Sequence, residues 1–347
     1  MIKEIRLQQY RSYQDKTFIF DPGVNIIVGP NASGKTNLLE AIIVSAIGKS
    51  YRARDGDLIK HDSNWARIDA KYSDGESRTI KIQNQIKTEK TFTINNKIHK
   101  RIGFNQQVPI VLFEPNHLQL LSGSPELRRN YLDNILEQTT PGFKKIKADY
   151  LKNLRQRNTL LKRKNMKNND LFPWNIRLAH LGGGIAAART KLIEQLNTNI
   201  TEFYQTISKD NSKITLTYMA SVNLENYENE LFKNLEKRTE IDKLNGYTTI
   251  GVHREDIKTL MNKRPITSIA SRGESRSLTI ALKIQESKII SETNQKLTIL
   301  LFDDVFGELD ANRCSAIYSF IKGMPIIITA TDIINLSSIS NKSIITL

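Results

Sequence analysis

The chain has 347 residues, 39% of them hydrophobic, which is enough length to bury one large core or two ordinary ones. Lysine and arginine number 51 against 36 aspartate and glutamate, and the formal net charge of +15 points to a polyanionic partner. No apolar run approaches the roughly 20 residues that span a bilayer, the first residues alternate instead of forming a signal-peptide block, and Cys314 is the single cysteine. These features predict a cytoplasmic protein without disulfides or a membrane partner, and five scattered histidines predict no metal-ligand cluster.

In chain order, Ile2, Ile5, Leu7 and Tyr10 open a strand, Phe18-Ile19-Phe20 makes a second, and Asp21-Pro22-Gly23 turns into a buried strand at Val24–Val28. Gly29-Pro30-Asn31-Ala32-Ser33-Gly34-Lys35-Thr36 follows and fits G-x-x-x-x-G-K-[ST], with Asn37-Leu38-Leu39-Glu40-Ala41-Ile42-Ile43 behind it as a helix. The glycines let backbone N–H groups close around an anion, and the helix N-terminus adds its positive dipole end. Residues 29–37 are thus candidate contacts for ATP or GTP. Lys35 would reach the β- and γ-phosphates, and the Thr36 hydroxyl would ligate Mg²⁺.

Strand patterns at Trp65–Tyr72, 79–82 and 91–94, with turns at Asp74-Gly75 and Asn95-Asn96, predict a meander. Residues 109–113 predict a short strand buried in a central sheet. From about Ser124 helical spacing takes over at 128–138, 143–164 and 175–208, with a turn near 168–173 between two long antiparallel helices. Gly182-Gly183-Gly184 marks a kink or a close helix crossing. A strand at 213–219, a helix at 223–237 and renewed strand patterning from 247–250 complete the middle of the chain. Residues 144–170 carry ten basic side chains against two acidic ones, more than half of the chain's surplus in one helical-looking segment.

Two later segments carry chemistry. The apolar strand 297–302 ends in Asp303-Asp304, which in a phosphate-loop protein places Asp303 to hold Mg²⁺ through water and Asp304 to polarise the attacking water. Ser271-Arg272-Gly273 opens an apolar helix and presents a hydroxyl with bare N–H groups, a second anion site. Arg52 reads either as a phosphate contact or as a surface residue paired with Asp55 or Asp57. Arg128 and Arg129, at the start of the helical segment, either contact the polyanionic partner or brace that segment against the rest of the chain.

The order phosphate loop, Ser-x-Gly, Asp-Asp strand and Gly307-Glu308-Leu309-Asp310 resembles the ABC-type ATPases. Their signature helix completes the nucleotide site of a second subunit, so ATP is sandwiched in a homodimer. Ser271, Arg272, Gly273 and Asp310 then become nucleotide contacts, and Thr331 stands where a switch histidine is usual. Within that superfamily the resemblance narrows to the RecF family of bacterial DNA-repair ATPases. It rests on Asn37-Leu38-Leu39-Glu40-Ala41-Ile42, Lys49-Ser50-Tyr51-Arg52, Asp57-Leu58-Ile59, Gly123-Ser124-Pro125 with Arg128-Arg129 and Leu132-Asp133, Gly251-Val252-His253-Arg254-Glu255-Asp256, and Asp303-Asp304-Val305-Phe306-Gly307-Glu308-Leu309-Asp310.

The resemblance implies an α/β fold: an ABC-type ATPase head (phosphate-loop core plus antiparallel meander) from residues 1–122 and 248–347, with a mostly helical arm inserted at 123–247. It implies a weak DNA-stimulated ATPase that dimerises on ATP to clamp duplex or gapped DNA and that acts with RecO and RecR in recombinase loading. Alternatives are a hydrolysis-inert clamp, since Asp304 is shorter than the usual glutamate, an ABC ATPase subunit of another complex, and a small-molecule kinase. The chain departs from the family where Glu274 and Ser275 replace two glutamines and where Asn116-His117 follows Pro115. Glu274 is expected to point away from an incoming γ-phosphate.

Overall fold

A computed structural model describes residues 1–163, 165, 167–308, 311–332 and 342–347. In chain order the elements are β1 (Ile2–Tyr10), β2 (Tyr13–Ile19), β3 (Val24–Val28), α1 (Lys35–Ile47), β4 (Trp65–Tyr72), β5 (Ser77–Asn84), β6 (Thr88–Ile94), β7 (Lys97–His99) and β8 (Ile110–Phe113). There follow α2 (Pro125–Thr139), α3 (Phe143–Leu161), α4 (Phe172–Ser208), β9 (Ile214–Met219), α5 (Tyr227–Lys237), α6 (Thr239–Asn245), β10 (Asp256–Met261), β11 (Arg264–Pro265) and α7 (Ile266–Ile269). The last are α8 (Arg272–Asn294), β12 (Ile299–Asp303), α9 (Ala311–Ile321), β13 (Ile326–Ala330) and β14 (Lys342–Thr346). The expected α/β class, with an antiparallel meander and a mostly helical insertion, is borne out.

The chain folds into two compact units, Met1–His117 with Glu286–Leu347, and Leu118–Gln285. The first holds a parallel sheet in the order β14-β3-β13-β12-β8 and an antiparallel sheet in the order β2-β1-β4-β5-β6-β7. Strand β3 is apolar on both faces except for Asn25, whose amide clamps the backbone N–H and C=O of Asp21 at 2.9 and 2.8 Å. The meander strands alternate instead: in β4, Ala66, Ile68, Ala70 and Tyr72 face inward, which is the pattern of a sheet with one solvated face. Their inward residues share one core with Leu38, Leu39, Ile42 and Ile43 of α1 and with Ile27, Leu301 and Ile327 of the parallel sheet.

The second unit is built on α4, which packs on α3, α5 and β9. Arg157 of α3 meets Asn175, and the Tyr150 ring lies by Gly182, so α3 and α4 run antiparallel. The triple glycine is a close crossing and not a break. The helix continues through it, and a Cβ on Gly182 would sit 3.0 Å from Leu231 of α5. A three-stranded sheet in the order β11-β10-β9 completes the unit.

One expectation is corrected here. Residues 247–250 form no strand, because side chains take the backbone groups a ladder would use: Thr248 N–H donates to Asn158 and Thr249 N–H to Asp242, both at 2.9 Å. The basic run 144–170 is not all surface. Arg157 is fully buried, donating to Asp242 at 2.7 Å, to Thr248 Oγ1 at 2.8 Å and to Asn175 at 2.8 Å, and Lys147 pairs with Asp133 and Glu137, both at 3.1 Å. A guanidinium cannot shed its charge, so in the interior it must find a carboxylate. Lys144, Lys145, Lys152, Arg155, Lys162, Arg163 and Lys167 remain exposed, and Lys164 lies outside the described residues.

A second buried network surrounds Arg189, which forks onto Asp133 at 2.9 and 3.1 Å and donates to the Val252 carbonyl at 2.8 Å. Beside it His253 is locked as a neutral ring. Its Nε2 donates to the Thr248 carbonyl at 3.1 Å, so Nδ1 accepts from the Tyr150 hydroxyl at 2.8 Å, and burial pushes its pKa down to about 4.

Candidate nucleotide-binding site

Register decides where the site forms. Val28, the last residue of β3, pairs with Ala330 of β13, and the neighbouring Thr329 pairs with Asp303 of β12. The phosphate loop and the acidic pair therefore leave the parallel sheet at the same edge, where ligands of open α/β sheets bind. In the loop, Ala32 and Gly34 take left-handed backbone conformations at φ 66° and 105°. Only glycine fits at 34, since a Cβ there would lie 2.8 Å from the Tyr13 hydroxyl and 2.9 Å from Ser12 Oγ. Tyr13 donates to the Gly34 carbonyl at 3.0 Å, which fastens the β1–β2 hairpin to the loop.

Lys35 is buried, and its ammonium donates to the Gly29 and Pro30 carbonyls at 2.8 and 3.1 Å, spanning the loop's own cradle. Pro30, Asn31 and Ala32 form the exposed rim, and among the described residues the buried Ser33 hydroxyl has no hydrogen-bond partner. Thr36 Oγ1 donates to Asp303 Oδ1 at 3.0 Å. The same carboxylate oxygen accepts from Thr329 Oγ1 at 2.8 Å, and that hydroxyl accepts from the Asp304 N–H at 3.0 Å. A hydroxyl and a carboxylate oxygen side by side are the hard donors that suit Mg²⁺. Asp304 sits in a left-handed conformation at φ 53°, and burial, with Asp303 adding to it against the pull of Lys35, raises its pKa.

Arg52 pairs with neither Asp55 nor Asp57. Its Nη2 donates to Asn37 Oδ1 at 2.9 Å and to Glu40 at 3.2 Å. Glu40 is fully buried on α1 and also receives both arms of Arg11, at 2.9 and 3.1 Å, and the Ser50 hydroxyl at 2.6 Å. Burial opposes its charge, but these donors outweigh that and hold its pKa below the usual range. Sequence reasoning missed Arg11, Tyr13, Glu40 and Thr329. For Glu40 a signal existed: a lone carboxylate inside the apolar run 38–43 must be paired if the helix is buried.

The Ser-x-Gly segment belongs to the second unit. Ser271 and Glu274 form a reciprocal cap on α8: the Ser271 N–H donates to Glu274 Oε2 at 2.6 Å, and the Glu274 N–H donates to Ser271 Oγ at 3.2 Å. Glu274 therefore folds back over the first turn of α8. A Ser followed three residues later by Glu satisfies two orphan donors at once, and that local gain sets its rotamer. Arg272 is exposed beside it and Gly273 half-buried.

Thr331 is exposed just beyond β13. Leu309 and Asp310 lie outside the described residues. Arg128 forks onto Asp256 at 2.7 and 2.8 Å and Arg129 donates to the Glu255 carbonyl at 2.8 Å, so both brace α2 against the segment that leads into β10. Among the described residues no helix is long and apolar enough to cross a membrane.

Comparison with known proteins places this geometry. Residues 1–338 match the sequence profile of the RecF/RecN/SMC N terminal domain. The DNA replication and repair protein RecF of Clostridium perfringens is 34% identical over 346 residues, covering 97% of this chain and 94% of that protein. Its counterpart in Halalkalibacterium halodurans is 33% identical, covering 90% and 88%. A solved structure of the recombination mediator protein RecF with ATP, of the RecFOR pathway, superimposes with a TM-score of 0.84 at 30% identity over 95% of this chain and 92% of that one. A profile that spans nearly the whole chain, together with relatives matched along nearly their full length, makes this chain a member of the RecF family, within the RecF/RecN/SMC group.

Proposed function

We propose that this chain is an ATP-dependent DNA-binding protein of recombinational repair, working in the cytoplasm. It binds ATP with Mg²⁺ at residues 29–37, associates as a homodimer when nucleotide is bound, clamps duplex or gapped DNA, and resets by slow, DNA-stimulated hydrolysis. The observation that carries this reading is the Thr36–Asp303 pair beside the phosphate loop, which joins hydroxyl and carboxylate donors from opposite ends of the chain. When bound, Mg²⁺ would neutralise phosphate charge at those two side chains.

Lys35 exchanges its loop carbonyls for phosphate oxygens. Asp304 orients the water that attacks the γ-phosphate. Ser271, Arg272 and Gly273 supply the cap of a partner copy's site, with Asp310 and Thr331 at its margin. In this functional division the head is 1–122 and 248–347 and the arm 123–247. The exposed lysines and arginines of 144–167 contact DNA phosphates without sequence preference. RecO and RecR are the proposed partners, by analogy with relatives assigned to the RecFOR pathway.

Sedimentation with and without ATP–Mg²⁺ tests the scheme, together with ATP turnover with and without duplex DNA. Wild type should dimerise only with ATP–Mg²⁺, whereas Lys35→Met and Ser271→Arg should stay monomeric. A wild type that stays monomeric at saturating ATP would refute the shared site. DNA-independent phosphorylation of a metabolite would overturn the whole reading. ATP-driven dimers with no turnover would favour the hydrolysis-inert clamp, for which the short Asp304 side chain speaks.

A further inference from the structure

We propose that Glu40 is a positioning residue which holds Arg52 and Arg11 as a paired cation beside the phosphate loop, so that the site distinguishes a triphosphate from a diphosphate. The proposal rests on the reading that residues 29–37 bind ATP.

Two other segments converge on this one carboxylate. Glu40 lies on α1 one turn beyond Thr36. Arg11 arrives from the tip of the β1–β2 hairpin, in a left-handed conformation at φ 50°, and Ser50 and Arg52 arrive from the loop after α1. Glu40 has no exposed surface, and it accepts four hydrogen bonds, two from Arg11 and one each from Ser50 and Arg52. Two guanidinium groups against one carboxylate leave one positive charge over, beside Asn37 in the first turn of α1. The residual charge lies on the loop side, because Arg52 Nη2 bridges from Glu40 to Asn37 Oδ1 at 2.9 Å, and the Asn37 amide in turn donates to Ser12 Oγ at 3.0 Å.

Arg52 commits only Nη2 among the described residues, which leaves Nε and Nη1 for an anion. A flexible arginine would lose most of its attraction for phosphate to the entropy of being ordered, so a fixed one is worth more. ATP carries one more negative charge than ADP, so a surplus cation at this site favours the triphosphate.

The test measures the affinities of wild type, Glu40→Gln, Glu40→Asp, Arg52→Ala and the Glu40→Gln/Arg52→Ala double variant for ATP–Mg²⁺ and ADP–Mg²⁺, each alongside a thermal melt. Glu40→Gln should weaken ATP about tenfold and ADP less than threefold, and Glu40→Asp should recover part of the ATP affinity. Arg52→Ala should do the same as Glu40→Gln, and the double variant should be no worse than Arg52→Ala alone, since the glutamate acts through that arginine. Equal weakening of ATP and ADP, or losses that add in the double variant, would reduce Glu40 to a structural ion pair and overturn the proposal. If wild type bound neither nucleotide, or Lys35→Met bound both normally, the ATP reading itself would fail, which is a separate outcome.

Discussion

Thr36 Oγ1 and Asp303 Oδ1 stand 3.0 Å apart although 267 residues separate them in the chain. The contact exists because β3 and β12 flank β13 in register, and Thr329 on β13 fixes the carboxylate with its own hydroxyl at 2.8 Å. Under the proposed function, removing either oxygen should abolish the benefit of the metal and not binding as such. ATP affinity should rise at least tenfold with Mg²⁺ over EDTA in wild type and less than twofold in Thr36→Ala or Asp303→Asn. An undiminished Mg²⁺ effect in both variants would show that the metal is held elsewhere.

The buried arginine of α3 separates stability from DNA affinity. Arg157→Met leaves Asp242 buried without its charge partner and should cost about 3–5 kcal/mol in urea unfolding. Its DNA affinity, measured where the protein is still folded, should keep the wild-type salt slope. Lys152→Ala and Arg155→Ala, both on the exposed face, should unfold normally and each lower that slope by about one. Equal salt slopes in all three variants would remove α3 from the DNA contact.

His253 makes the second unit sensitive to acid. Its ring is held neutral by burial, with a pKa of about 4 against an ordinary 6.5. Between those values the unfolded chain takes up a proton that the folded ring refuses. The stabilising contribution is therefore complete above about pH 6.5 and is lost as the pH falls toward 4, by about 3 kcal/mol in all. His253→Gln should be less stable at pH 7 yet show a flatter dependence across that window in urea unfolding. An identical pH slope in the two proteins would assign the acid sensitivity to other groups.

Glu274 places a carboxylate over the helix end that the proposed sandwich offers to a partner's γ-phosphate. Glutamine at this position can still cap the helix, so Glu274→Gln should change stability by only a few tenths of a kcal/mol. Removing the like charge should tighten ATP-driven association by about 1 kcal/mol, roughly fivefold in dissociation constant. Sedimentation with a non-hydrolysable ATP analogue measures this. Weaker or unchanged association would mean that the carboxylate swings clear when the partner docks.

The crossing of α4 and α5 depends on the absence of a side chain at Gly182. Gly182→Val would push against Leu231, 3.0 Å from the first added carbon, and should cost about 1–3 kcal/mol. Gly184→Val, where nothing lies within 4 Å, should cost less than half as much on a thermal melt. Equal losses would point to helix propensity and not to packing.

Local chemistry made much of this protein readable in one dimension. The phosphate loop announces itself because left-handed backbone at Gly34 and a lysine at a fixed offset are properties of neighbouring residues. The strands β3 and β4 follow from apolar runs and alternation, since side-chain period reports which faces are covered. The partners of charges were a different matter. Glu40 meets an arginine 29 residues away and Arg157 an aspartate 85 residues away, and no local pattern encodes either pairing. Most of the elements and the nucleotide loop are legible in one dimension, because they depend on short-range sterics and periodicity. Which basic residues are surface and which are core emerges on folding, because a buried charge is settled by whichever opposite charge the folded chain delivers beside it.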